Sequence, residues 1–64
     1  IRGIYAVTKT EIINKAIAED DCILLEGETV VPIELTNDAK LFYYDSDMKP
    51  FTCNINNVTI EECK

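Results

Sequence analysis

Residues 21–35, DCILLEGETVVPIEL, decide the fold. Ile23, Leu24 and Leu25 precede Glu26-Gly27-Glu28, and Val30, Val31, Ile33 and Leu35 follow it. β-branched residues dominate the second run, and a glycine between two such runs is a short-range hairpin signal. Gly27 at the first central position of a two-residue turn predicts type II′, because that position requires φ > 0. The resulting register pairs Leu25 with Val30, Leu24 with Val31, Ile23 with Pro32 and Cys22 with Ile33. Directly opposed residues share a face of a sheet. One face is then Cys22, Leu24, Val31, Ile33 and Leu35, and the other is Ile23, Leu25, Val30 and Pro32. Pro32 has no N–H to give to a ladder, which places it at an edge or a bulge.

Both faces are apolar near the turn, whereas a hairpin wet on one side alternates cleanly. The reading that follows packs the Cys22/Leu24/Val31/Ile33 face on a helix. It leaves the Leu25/Val30/Pro32 face, rimmed by Glu26 and Glu28, for a partner.

The rest of the chain supplies the helix and the remaining strands. Residues 3–7 are short, β-branched and aromatic and read as a strand. Thr8-Lys9-Thr10-Glu11 matches a capping box, with Thr8 as N-cap and Glu11 reaching back. Ile12, Ile13, Ala16 and Ile17 then form one stripe of an amphipathic helix. Glu19, Asp20 and Asp21 lie at its C-terminal end, where the helix dipole prefers cations and where no glycine follows. Residues 36–39 form a turn by composition. Lys40-Leu41-Phe42-Tyr43-Tyr44 reads as a strand, residues 45–50 as a loop, and residues 51–55 as a strand with Phe51, Cys53 and Ile55 inward. Asn56-Asn57 is a further turn, and residues 58–64 suit either a last strand or a short terminal helix. The expected architecture is a single small α+β domain over residues 1–64, in the order β-α-β-β-β-β. One N-terminal helix packs on a mainly antiparallel four- to five-stranded sheet. A helix of about ten residues spans about 15 Å, and strands lie about 4.8 Å apart, so it cannot cover both faces.

Charge and composition narrow the function. Twelve carboxylates against six cations give a net charge of −6 in 64 residues. Direct binding to nucleic-acid phosphates is disfavoured, since it needs clustered Lys and Arg. Anionic membrane surfaces are disfavoured for the same reason, and no apolar run approaches the ~20 residues that span a bilayer. There is no basic stretch followed by an apolar segment of the secretory type. The three cysteines, Cys22, Cys53 and Cys63, are an odd number, which fits a reducing, cytoplasmic setting better than a disulfide scaffold. One bridge among them stays open.

Catalysis finds little support. The chain has no His, so the commonest general base and the classical triads are absent. The cysteine spacings match no closed zinc site. Asp45-x-Asp47 opens like a calcium loop, but Lys49 and Pro50 stand where that loop needs an acid and a glycine. The expectation is a non-enzyme without cofactor or metal. Phe42, Tyr43 and Tyr44 would suit base stacking but lack basic neighbours, so they read as core. Asn57-Val58-Thr59 is a glycosylation pattern that matters only in a secreted protein.

A small acidic binding protein remains, one that occupies the basic surface of a protein partner as an inhibitor or nucleic-acid mimic. Size, acidity and an Asn/Ile/Lys-rich composition resemble small accessory proteins of phages and mobile elements, in type and without a shared motif. The expected contact residues are Glu19, Asp20, Asp21, Leu25, Glu26, Glu28, Val30, Pro32, Asp45 and Asp47. The alternative is a homo-oligomer, structural or sequestering a small ligand, with its site at subunit interfaces, because the second hairpin face and the Phe42/Tyr44 face together exceed what one short helix can cover.

Overall fold

A hairpin does form over residues 21–35, with a different turn. The computed structural model describes residues 7–63. Strand β1 (Ile23–Leu25) runs antiparallel to β2 (Glu28–Leu35). Glu26 and Gly27 connect them with φ of 51° and 82°. Both central residues are left-handed, so the turn is type I′. The partners are Ile23 with Val30, Leu24 with Thr29 and Leu25 with Glu28, two residues along β2 from the type II′ register. A left-handed Glu is uncommon, and a contact far along the chain holds this one. The Glu26 N–H donates to the Thr59 carbonyl at 2.9 Å, and the Thr59 N–H donates to Glu26 Oε2 at 2.8 Å.

The slip is an even number of residues, so the same side chains still share a face. Which face turns inward is the reverse of the expectation. Ile23, Leu25 and Val30 are at most 6% exposed and belong to the core, and Pro32 is buried with them. Ile33 is 47% exposed on the opposite side. The surface expected to receive a partner is therefore the one the protein's own helix covers.

That helix, α1 (Lys9–Glu19), starts as its sequence predicts. The Thr8 N–H donates to Glu11 Oε1 at 3.0 Å, and the Glu11 N–H donates to Thr8 Oγ1 at 3.1 Å. At the other end Asp20 itself takes the left-handed conformation, φ 57°. Its N–H donates to the Ile17 carbonyl at 3.3 Å, and the Asp21 N–H donates to the Ala16 carbonyl at 2.8 Å. This is the two-bond Schellman closure, made here without glycine. Ile13 and Ala16 are buried, with Ile12 and Ile17 packed beside them.

Strands β3 (Lys40–Tyr44), β4 (Pro50–Asn54) and β5 (Ile60–Glu62) complete an antiparallel sheet of order β4-β3-β2-β1-β5. Over the described residues the protein is an α+β domain of one helix on five strands. Within the ambiguous segment at 58–64 the strand is Ile60–Glu62, while the strand expected at 3–7 lies outside the described residues except for Val7. Residues Ile55–Asn57 form a 3-10 turn between β4 and β5. Pro32 sits where β1 no longer pairs with β2 and beside the irregularity that shifts the β2–β3 register between Pro32 and Glu34, the kind of place its missing N–H requires. Ile13, Ile23, Val30, Leu41, Ile55 and Ile60 form the centre of the core. Among the described residues no helix is long and apolar enough to cross a membrane.

The β1–β5 pair is closed at both ends. Ile23 faces Glu62, Leu24 faces Glu61 and Leu25 faces Ile60. One step beyond lies the Glu26–Thr59 exchange, and one step before it Cys22 is bonded to Cys63 in a disulfide, Cα–Cα 5.4 Å and 41 positions apart in sequence. With three paired residues, β5 is too short to stand without such closure. Replacing Cys22 and Cys63 together by Ser is expected to lower unfolding stability by about 2–5 kcal/mol. Urea titration measures it, and amides of β5 should become the first in the sheet to exchange.

Candidate protein-binding face

The helix lies over β1, β2 and β5. On the side of the sheet away from it, β2, β3 and β4 present a continuous apolar surface. Phe42 pairs across to Thr52, Tyr44 to Pro50 and Val31 to Tyr44, so Val31, Phe42, Tyr44, Pro50 and Thr52 point the same way. The β2 irregularity brings Ile33 out to join them. Ile33, Glu34, Phe42, Tyr44, Pro50 and Thr52, with Tyr43 and Phe51 at its margin, line an open groove of about 450 Å³. Ile33 and Phe42 are 47% and 37% exposed there. Closer to β1 the same side turns polar, because Leu24 has Thr29 and Glu61 as its neighbours.

The helix-side face of the β3–β4 hairpin is also open at one end. Leu41 is in the core, and Tyr43 and Phe51 follow it in the same register. Their rings stack with centroids 5.9 Å apart and planes 25° apart, yet Phe51 stays 46% exposed because α1 does not reach it. The inward Phe51 anticipated from alternation is therefore on the expected face but beyond the helix. Burial raises the Tyr43 phenol above its ordinary pKa, helped by the charges of Cys53, Glu28 and Asp45.

The carboxylates expected to contact a partner do not form one patch. Leu25, Val30 and Pro32 are interior. Glu26 is committed to Thr59 in the clamp described above, and Asp20 and Asp21 shape the helix end. Asp21 Oδ1 also accepts from the Cys22 N–H at 2.8 Å. Asp45 caps its own loop: its Oδ1 accepts the Asp47 N–H at 2.9 Å and the Lys49 N–H at 2.8 Å. Met48 closes that loop with φ 64° and is 68% exposed. Glu19 and Asp21 join Glu62 around a small cleft at the disulfide, while Glu28 and Asp47 are exposed elsewhere. Asp38 follows the same pattern, its carboxyl held below the usual range chiefly by the Thr36 hydroxyl and then by its own backbone N–H.

Sequence reasoning missed Ile33 and Phe51 as surface, and the Cys22–Cys63 and Glu26–Thr59 closures, whereas the Phe42/Tyr44 face is uncovered as the homo-oligomer reading expects. A strand assignment for 58–64, set antiparallel to 22–26, would have aligned both closures at once. Among the described residues no group of three or more potential metal ligands converges. No known protein family, curated protein or solved structure matches this chain.

Cys53 is the free thiol on the covered face of β4, half-buried, and burial pushes its pKa up. Since the thiolate is the reactive form, alkylation of Cys53 near pH 8 is expected to run several-fold slower in the native protein than in urea. Its rate should rise with pH to a midpoint above that of an unstructured thiol. A native rate equal to the unfolded one would place Cys53 in solvent.

Proposed function

We propose that the protein is a small, acidic, non-catalytic binding domain. It docks the apolar outer face of β2, β3 and β4 onto an apolar patch with basic surroundings on a protein partner. The observation that carries this reading is the open row of Ile33, Phe42 and Tyr44 with Glu34 among them, in a chain of net charge −6. Contiguous apolar surface of this kind on a small protein marks interaction sites, and aromatic anchors with a charged rim are the usual anatomy. The compartment belongs to the same reading. A disulfide between Cys22 and Cys63 favours an oxidising setting over the cytoplasmic one anticipated from an odd cysteine count. Inhibition of the partner is the simplest outcome of covering its surface.

The test uses the partner recovered by crosslinking from the source and identified by mass spectrometry. Phe42→Ala is expected to weaken its binding by about 2 kcal/mol, as for a central aromatic anchor. Glu34→Gln should flatten the salt dependence. For the wild type, raising ionic strength from about 0.05 M to about 0.5 M should cost roughly tenfold in affinity. Binding insensitive to both Phe42→Ala and salt would remove this face from consideration.

A second reading, self-association, is favoured by the β4 edge. Pro50, Phe51, Thr52, Cys53 and Asn54 carry no charge, although edge strands are commonly protected by charged side chains. Antiparallel pairing of two β4 strands would bring the two exposed Phe51 rings to one junction without opposing carboxylates in the strands themselves. Sedimentation over a wide concentration range should then show a dimer that Thr52→Lys disperses. A strict monomer at millimolar concentration eliminates it.

A further inference from the structure

We propose that Asn57 is an N-glycosylation site. Asn57-Val58-Thr59 has the acceptor pattern, an Asn carboxamide with a hydroxyl residue two positions on and no Pro between. Such patterns are frequent by chance, so the case rests on how the fold presents this one. Val58 packs against the core while Asn57 and Thr59 are exposed on either side of it. Burial of the middle residue thus turns both polar side chains of the triplet to solvent. Asn57 ends the 3-10 turn, and Val58, at φ −133° and ψ 159°, is extended as it enters β5.

Among the described residues the neighbouring polar groups are occupied and these two side chains are not. Asn54 Oδ1 accepts the Asn56 N–H at 2.9 Å. Lys9 Nζ donates to the Ile55 carbonyl at 2.9 Å. Thr59 is tied to Glu26 through its backbone N–H and carbonyl alone, which leaves its hydroxyl out of the clamp. A saccharide on Asn57 therefore displaces no contact that holds β5 in place.

The second, independent observation is the Cys22–Cys63 disulfide, which joins β1 to the end of the same C-terminal segment. Disulfides form and persist where secreted proteins fold, and that is where lipid-linked oligosaccharide donors are used. In the transfer, Asn57 Nδ2 forms a bond to the anomeric carbon of the first sugar. The bond from that carbon to the donor's pyrophosphate breaks, the lipid pyrophosphate leaves, and the amide proton passes to a base of the transferase. No oxidant or reductant is required.

The placement has a physical consequence. Among the described residues β5 is one of the two sheet edges, the other being β4. A bulky, solubilising group just before β5 guards that edge against pairing with another chain. It leaves the outer face of β2, β3 and β4 open. The inference shares only the oxidising compartment with the proposed binding function, and neither requires the other.

The experiment starts from the protein isolated from the organism that makes it. Peptide N-glycosidase treatment in heavy-oxygen water should lower the intact mass and leave heavy aspartate at position 57. An unmodified Asn57 in the isolated protein overturns the proposal, whether Cys22 and Cys63 are bridged or free. In secreting eukaryotic cells, Asn57→Gln and Thr59→Ala should each abolish the glycan completely, and Thr59→Ser should retain it. Because Thr59 uses only its backbone in the clamp, its variants keep the fold, and an unchanged urea midpoint for Thr59→Ala checks this. A glycan that survives Thr59→Ala would also overturn the assignment.

Discussion

The three-residue strand β1 is the constraint on which the sheet depends. It is the narrow middle of one end of the molecule, with β2 on one side and β5 on the other. Ile23 within it is completely buried. A strand of three residues makes few ladder bonds, and β5 offers only three in return. What keeps the pair in register is covalent at Cys22–Cys63 and a reciprocal hydrogen-bond pair at Glu26–Thr59. The same Glu26 supplies the left-handed backbone that turns β1 into β2. A domain this small buries only about 60% of its unfolded surface, so closures of this kind substitute for core that the chain cannot supply.

The position of β1 also decides what stays uncovered. The helix packs where β5, β1 and the first half of β2 give it Ile60, Ile23, Leu25 and Val30. Eleven residues of helix end there, and the β3–β4 hairpin continues past it. Phe51 on the helix side and Phe42 on the other are exposed for different reasons. Phe51 shares the core face but outlies the cover, whereas Phe42 belongs to a face that no described element covers. Both rings line the groove that Ile33, Glu34 and Tyr44 complete.

Local features of this fold were legible in the sequence, and its long-range pairings were not. Thr8 and Glu11 announced the helix start, and Lys40 to Tyr44 form the expected strand. The two faces of the hairpin, by contrast, are almost equally apolar, and nothing within residues 21–35 says which turns inward. The answer lies in β5, where Ile60 stands opposite Leu25 and Glu61 opposite Leu24. That pairing makes one face greasy and the other wet, but it joins segments 35 residues apart in sequence (Leu25 and Ile60). The turn type was missed for a related reason: the left-handed Glu26 is stabilised by Thr59 rather than by its own neighbours. Apolarity alone does not distinguish a face the helix covers, here Ile23, Leu25 and Val30, from one it leaves open, here Phe42.

The structure also changes what the acidity means. Of twelve carboxylates, those of Glu11, Asp21, Asp38 and Asp45 accept local hydrogen bonds that cap a helix or close turns, and that of Glu26 accepts one that ties β1 to the start of β5. Short acidic side chains are good acceptors for the unpaired backbone N–H groups of turns, and a domain with this many turns in so few residues uses many. Net charge is therefore a weak argument for a basic partner when counted over the whole chain. It becomes a stronger one at Glu34, which stands in the outer groove beside Phe42 and Tyr44 and for which no backbone role is evident. A carboxylate placed among exposed aromatic rings costs little while the face is wet, and it selects for a cation when the face is covered.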